Sequence, residues 1–392
     1  MEKASAYKSV IVFILISGLL LGFPPRAGAA VAPVGHLPMV AVSLTPSVYA
    51  LPVLMVEKAG EWKDFGIQIR IKNHSHGEEQ LDRSVGNEWE VAVMDPISAV
   101  KGGNEGNVAI VGIAGNYAAQ VPFLTAQGGA SAQPQKWVQW LKGYIASTET
   151  KGEKTFLPAC LVATASYADT RKTLVIRWLE GYSRGIQIIK RNPEAAVSQL
   201  REFYGETLKK ETPPDFLRQE VMGAFFFDEK DREEPFRTKN GKPSLLEEFA
   251  GAMTRYLKGV KALDAQAEPS EYILSKLCDQ LSALRGEALA QLEKTRGSIE
   301  AAAQAGARVN DFRTTWEESK AQVEEGRGCL AVIGVLSNLQ RSADQARVNS
   351  AQLTDFRRIE MAAGGMIGLY YAGYLFHRRK KAQARGSKLI DI

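Results

Sequence analysis

The hydrophobic positions near the start of the chain predict alternating strands and helices. Residues 39–44 form a short apolar run, and residues 48–57, after a polar turn, have the apolar content of a buried helix. Over residues 65–71 the apolar side chains occupy every second position, which is the period of a half-buried strand. A strand, a helix and a second strand in this order require a right-handed crossover and parallel pairing. This stretch therefore predicts the beginning of an α/β sheet.

Two further strands are predicted after this unit. Residues 90–94 form an apolar run that ends in the turn at Asp95 and a short helix over 97–101, and residues 108–113 form another run. Open α/β sheets bind ligands at the carboxyl ends of their strands. The candidate ligand-binding side chains near these ends are Thr45, Ser47, Tyr49, Asp95 and Asn116.

The chemistry of these five residues suits a small polar or anionic solute. Hydroxyl groups, an amide and a helix N-terminus are the groups that hold such a molecule in a protein. The same residue types also form ordinary turns, because Thr-Pro-Ser and Asp-Pro are common turn sequences. Both interpretations remain open from the sequence.

The segment between the first two strands carries a family pattern, which consists in order of Lys58, Gly60, Trp62, Gly66, Ile67 and Ile69. Residues 39–127 look like the first lobe of periplasmic substrate-binding proteins of the nitrate, sulfonate and taurine ABC-transporter type, a superfamily that includes thiamine-pyrimidine-precursor binders. The resemblance implies a type II-like α/β lobe, a small solute as ligand, an ABC permease as partner and no cofactor.

The second lobe of such a protein is shortened in this sequence. Residues 141–146 fit the element that begins this lobe, and residues 156–169 already look like the strand that returns from it. A truncated second lobe argues against capture of a ligand by lobe closure. The alternative function is therefore a degenerate lobe that binds no solute and acts as a periplasmic protein-interaction module.

Helices are predicted for the remainder of the chain. Helices over 170–191 and 193–203 complete an α/β domain that we place at residues 38–265. From residue 270 to 358 the apolar positions step by three and four, which predicts a coiled-coil stalk with a turn near 304–310. The stripe that defines the first stalk helix consists of Leu274, Leu277, Leu281, Leu284 and Ala288.

The C-terminal region predicts a membrane span. Residues 359–377 contain a long uncharged apolar run, and a basic cluster at residues 377–381 follows it, which places the tail at 378–392 in the cytoplasm. A buried terminal helix is the alternative. Gly364, Gly368 and Ala372 form a ridge of small residues, which predicts a homodimer through the span.

The N-terminus predicts export. Residues 1–30 combine two lysines, an apolar run and a small-residue cleavage motif, as in a signal peptide, with an uncleaved anchor as the alternative. We therefore expect the chain at the inner (cytoplasmic) membrane with its main part facing the periplasm. In this oxidising compartment Cys278 and Cys329, which flank the stalk turn, are predicted to form a disulfide.

Composition excludes several other classes of protein. A net charge of +5 is too small to indicate nucleic-acid binding, and no nucleophile elbow, P-loop or dinucleotide motif is present, so we do not expect an enzyme. His74 and His76, with the two glutamates after them, could bind a metal. Two histidines without a fixed third ligand are a weak signal, and we favour a solvated loop.

Overall fold

A computed structural model describes most of the chain after its N-terminal segment. The predicted signal peptide at 1–30, the element at 141–146 that would begin the second lobe, and the end of the basic tail lie outside the described residues. Those residues are 36–117, 156–209, 211–227, 233–238, 242–264 and 267–386.

Six strands form one mixed sheet in the order β2-β1-β3-β5-β4-β6. β1 pairs in parallel with β2 and with β3, as the strand-helix-strand pattern predicts. β5 lies between β3 and β4 and is antiparallel to both. The strands are β1 (Met39–Leu44), β2 (Gln68–Asn73), β3 (Val91–Met94), β4 (Val108–Asn116), β5 (Pro158–Thr164) and β6 (Phe225–Phe226).

The central strands are buried on both faces. After the exposed Met39, every residue of β1 is buried, and so are all residues of β3 and β5. The sequences of such strands are continuous apolar runs, because helices cover both faces of the sheet. β2 at the edge keeps exposed positions, in agreement with its alternating sequence.

Twelve α-helices flank or follow the sheet within the described residues. Two of them, α2 and α4, cover segments for which the sequence pattern predicts no helix. The helices are α1 (Leu51–Ala59), α2 (Gly77–Val85), α3 (Pro96–Asn104), α4 (Ala165–Thr170), α5 (Lys172–Arg191), α6 (Pro193–Leu208), α7 (Pro214–Gly223), α8 (Leu245–Gly259), α9 (Pro269–Tyr272), α10 (Ser275–Gln304), α11 (Asn310–Glu324) and α12 (Cys329–Gly386).

The long helices α10 and α12 pack against each other in parallel orientation, with Cys329 at the start of α12 near Leu284 of α10. Gln291 donates a side-chain hydrogen bond to Gln340 at 2.8 Å, and the Thr295 hydroxyl donates to the Leu336 carbonyl oxygen at 3.2 Å. The predicted stripe of α10 is buried from Leu277 to Ala288. This packing explains the periodicity of the sequence, and it does not establish a coiled coil.

The start of α10 belongs to the core of the sheet. The backbone N–H of Leu274 donates to the Ile110 carbonyl oxygen on β4 at 2.9 Å. One turn later the Cys278 thiol donates to the Val111 carbonyl oxygen at 3.3 Å. The predicted disulfide between Cys278 and Cys329 is wrong for this structure, in which both residues are buried thiols.

The second half of α12 leaves the core. The helix is buried against its neighbours up to Ala343, and residues 351–360 are exposed on every side. Contrary to the predicted span at 359–377, no helix in the described part of the chain has a run long and apolar enough to cross a membrane. At about 1.5 Å per residue, the uncharged run from Met361 to Phe376 is shorter than the ~30 Å hydrocarbon core.

The large apolar side chains that the structure describes in this half of α12 are exposed, and Leu369 and Tyr370 are the most exposed of them. A Cβ atom added at Gly364 or Gly368 would meet nothing within 4 Å. The structure gives no support to the predicted homodimer through Gly364, Gly368 and Ala372.

Candidate functional site

The end of β1 leads into a short helical turn that Ser47 caps. Ser47 has an extended backbone, and its hydroxyl oxygen accepts the backbone N–H of Tyr49 at 3.2 Å. Residues Val48–Ala50 form a 3-10 helix that continues into α1, which has Pro52 in its first turn. Serine at an N-cap and proline just inside a helix are both favoured there. The turn predicted from sequence is thus the beginning of a helix.

Ser47 also joins the end of β1 to the end of β4. Its hydroxyl lies 2.9 Å from the hydroxyl of Tyr117, the residue that follows β4. The rings of Tyr49 and Tyr117 pack edge to face with their centroids 4.8 Å apart. The rings of Tyr49 and Phe226 are 5.5 Å apart. Three strand ends therefore contribute to one aromatic and hydroxyl-lined cluster.

Tyr49 and Asn116 are in direct contact. The Tyr49 hydroxyl donates to the backbone carbonyl oxygen of Asn116 at 2.7 Å. The side-chain oxygen of Asn116 accepts the backbone N–H of Leu157 at 3.0 Å, so this amide holds the entry of β5. A Cβ atom at Gly115 would lie 2.2 Å from the Phe225 carbonyl oxygen, so only glycine fits this position.

Asp95 caps α3 at the end of β3. One of its carboxylate oxygens accepts the backbone N–H groups of Ile97 and Ser98, each at 3.0 Å. A Cβ atom at Gly77 would overlap the other oxygen, so the N-terminus of α2 also lies against this carboxylate. Burial raises the pKa of Asp95, and the hydrogen bonds from Ser98 and Ile97 oppose that shift.

Tyr204 and Glu220 form a buried hydrogen-bonded pair near this cluster. The Tyr204 hydroxyl on α6 donates to Glu220 on α7 at 2.8 Å. Burial raises the pKa of Glu220 to about 7. The charge of Glu220 contributes to the raised pKa values of Tyr49 and Tyr117, for which burial is the main cause, so the carboxylate lies within electrostatic range of the cluster.

His74 stands at the same edge of the sheet, directly after β2. Its backbone N–H donates to the Leu44 carbonyl oxygen at 2.9 Å, and its imidazole is buried. The Nε2 atom has no hydrogen-bond partner among the described residues. Burial lowers the pKa of His74, although the nearby Glu79 carboxylate opposes the shift.

The structure brings together Ser47, Tyr49 and Asn116 from the predicted set. Asp95 lies at the end of β3 and its charge helps to raise the pKa of Tyr117, and Thr45 lies buried two residues before Ser47. The sequence argument missed Tyr117, although it adjoins a predicted residue. It also missed Tyr204 and Glu220, and no sequence signal connects these two distant helices to the strand ends.

The chain is similar to solved structures of periplasmic binding proteins, with TM-scores of about 0.4 over about 60% of its length. A Candida albicans protein with the generic periplasmic binding protein fold is 11% identical, with a TM-score of 0.41 over 61% of this chain and 97% of the other. The corresponding values are 8%, 0.40, 60% and 92% for the aliphatic sulphonate-binding protein SsuA from Escherichia coli. They are 11%, 0.41, 63% and 89% for the nitrate-binding protein NrtA from Synechocystis. Comparisons with protein-family models and with curated proteins find no match.

Proposed function

We propose that this chain is a solute-binding protein of the ABC-importer type that holds a small polar solute at the carboxyl edge of its sheet. The observation that carries the proposal is the convergence of Ser47, Tyr49 and Tyr117 from two strand ends into one hydroxyl cluster. Ligands of open α/β sheets bind at this edge. The chain's own geometry therefore supports a binding site there.

The hydroxyl groups of the cluster suit recognition of a polar molecule. In the Ser47–Tyr117 hydrogen bond either oxygen can be the donor. The Ser47 oxygen also accepts the N–H of Tyr49. When Tyr117 donates to Ser47, the Ser47 hydroxyl hydrogen is available to a solute, and when Ser47 donates to Tyr117, the Tyr117 hydroxyl hydrogen is available. Because the site is buried, such hydrogen bonds are stronger than in water.

The partner of the solute-bound protein would be an ABC permease that accepts the solute. The location on the periplasmic side of the inner membrane stays a prediction. We expect no chemical step at the site, because a binding protein needs only to hold and release its solute.

A thermal-shift screen of the full chain tests the proposed function. The solutes are sulfonates, nitrate, bicarbonate, pyrimidines and small amines, and a solute that binds only the folded state raises the melting temperature. For a solute that binds, Tyr117→Phe should weaken the affinity roughly 5- to 100-fold, since it removes a buried hydrogen-bond partner. Tyr370→Phe on the exposed part of α12 is the matched control and should bind like the parent.

One observation favours the second candidate, a protein-interaction module without a solute. The polar groups of Ser47, Tyr49, Asn116 and Asp95 all have partners within the chain, and Thr45, Ser47, Tyr49 and Asp95 are at most 8% exposed. A site that satisfies itself does not require a ligand for stability. If no solute in the screen raises the melting temperature, this candidate replaces the first.

A further inference from the structure

The second half of α12 has a row of large apolar side chains that are exposed to water. Its members follow one another at steps of three, seven, four and four residues, so they lie on one side of the helix. At about 1.5 Å per residue, the row is roughly 27 Å long. Exposed apolar surfaces of this extent mark sites of interaction. This row, the terminal apolar face, consists of five residues that are 55% to 81% exposed: Phe356, Ile359, Met366, Tyr370 and Tyr374.

The width of the apolar surface favours lipid over a single helical partner. Leu369 lies to one side of the terminal apolar face, Tyr371 and Leu375 lie to the other, and all three are exposed. A partner helix in a coiled coil covers only a narrow seam, so it would leave some of these side chains in water. The boundary between headgroups and acyl chains of a bilayer accommodates a broad apolar face.

The charge that follows the terminal apolar face fits an anionic surface. Residues 377–390 contain six lysine and arginine residues and no aspartate or glutamate. Basic residues beside an apolar helical face are attracted to anionic headgroups. Tyrosine, which occurs three times over residues 370–374, is enriched where headgroups meet acyl chains. A second copy of the chain aligned in parallel would instead bring two basic clusters together, and like charges repel.

From the exposure, the width and the charge, we propose that the end of α12 is a docking surface for an anionic lipid bilayer. The terminal apolar face enters the boundary between headgroups and acyl chains, and the basic cluster after it meets the headgroups. The helix then lies on the membrane rather than across it. This surface is separate from the proposed solute site, and neither proposal depends on the other.

A fluorescent label on the terminal apolar face tests the proposal in the full chain. Because the native cysteines are buried, a thiol-reactive dye that senses its environment should label Tyr370→Cys selectively. With phosphatidylglycerol vesicles, we expect the emission to increase and to move to shorter wavelength, and high salt should reverse the change. With neutral phosphatidylcholine vesicles, the emission should stay the same. The matched control is the same dye on Met222→Cys, an exposed apolar position of α7, which should respond to neither kind of vesicle.

The contribution of charge is tested in the same labelled chain. Arg378→Gln combined with Arg379→Gln should weaken binding to phosphatidylglycerol vesicles roughly 10- to 30-fold, since both arginines are expected to lie near the headgroups. Arg171→Gln combined with Lys172→Gln removes two exposed basic residues elsewhere and should leave the affinity unchanged.

Three results would overturn the proposal. The first is an unchanged emission of the Tyr370→Cys label with phosphatidylglycerol vesicles. The second is equal affinity for these vesicles with and without the two arginines. The third is a change in emission that needs no lipid and grows with protein concentration, because it would identify a second copy of the chain as the molecule that covers the terminal apolar face.

Discussion

The hydroxyl of Tyr204 lies 2.8 Å from the carboxylate of Glu220, and both side chains are buried between α6 and α7. Burial disfavours the charged form of a carboxyl group, which raises the pKa of Glu220 to about 7. The hydrogen bond from Tyr204 opposes this shift without cancelling it. A buried acid that titrates near neutral pH makes the stability of the fold depend on pH.

Glu220 should make the folded state less stable as the pH rises. Its pKa is about 7 when folded against an ordinary value of 4.5, so between these values the folded state holds a proton that the unfolded state has released. Stability therefore decreases from about pH 4.5 to pH 7, by on the order of 3 kcal/mol for this group alone. Urea unfolding at several pH values measures the change.

Two variants isolate this effect. Glu220→Gln removes the titrating group, so the free energy of unfolding should decrease less between pH 4.5 and pH 7. Glu206 is exposed on α6, the helix that also contains Tyr204. Glu206→Gln should show the same decrease in stability with pH as the parent. A parent protein whose unfolding midpoint stays constant from pH 5 to 8 would contradict the prediction.

The ion pair between Glu61 and Arg184 should contribute strongly to stability. Two nitrogens of Arg184 donate to the two carboxylate oxygens of Glu61 at 2.7 and 3.1 Å. Their side chains are only 18% and 7% exposed. Glu61→Gln leaves the guanidinium buried without its counter-charge, and we expect a loss of roughly 3 kcal/mol in the free energy of unfolding.

An exposed pair of the same geometry provides the control. Arg218 donates to both oxygens of Glu194, with both side chains more than half exposed. Glu194→Gln should leave the free energy of unfolding nearly unchanged, because solvent screens exposed pairs. Equal losses in Glu61→Gln and Glu194→Gln would contradict the prediction, because they would show that burial does not increase the contribution of an ion pair to stability.

Gly185 should be irreplaceable in the packing of α5 against α1. A Cβ atom there would lie 2.1 Å from the Pro52 carbonyl oxygen, which is backbone and has little room to move. Gly185→Ala should cost about 1–3 kcal/mol in denaturant unfolding, as overpacked positions do. Gly205→Ala, in α6 with open space around it, should instead stabilise by about 0.5–1 kcal/mol. The opposite signs distinguish close packing from helix propensity.

The cysteines should all react as thiols once the chain unfolds. Cys160, Cys278 and Cys329 are buried, and none is in a disulfide in the structure. A thiol reagent such as 5,5′-dithiobis-(2-nitrobenzoic acid) should therefore react slowly with the native chain. In denaturant without reductant it should modify all three cysteines. Modification of a single cysteine under these conditions would instead support a disulfide between Cys278 and Cys329.

The sequence alone determined the elements whose burial is local and periodic. The parallel pairing of β1 with β2 follows from the strand-helix-strand order, and the buried stripe from Leu277 to Ala288 follows from its spacing. Asp95 was identifiable as a turn residue because a short polar side chain before a proline favours a helix start. In each case neighbouring residues carry the information.

Only the tertiary structure decided which distant groups meet. Glu220 approaches the strand ends because α7 packs against α6, and residues so far apart in sequence leave no periodic signal. The Glu61–Arg184 ion pair is not predictable from the sequence for the same reason, because its two residues are also far apart along the chain. In α12, Leu336, Leu339 and Ala343 are buried, whereas Leu353 is exposed because the neighbouring helix α10 ends at Gln304. Periodicity records which face of a helix is apolar, whereas the packing of the whole chain determines whether anything covers that face.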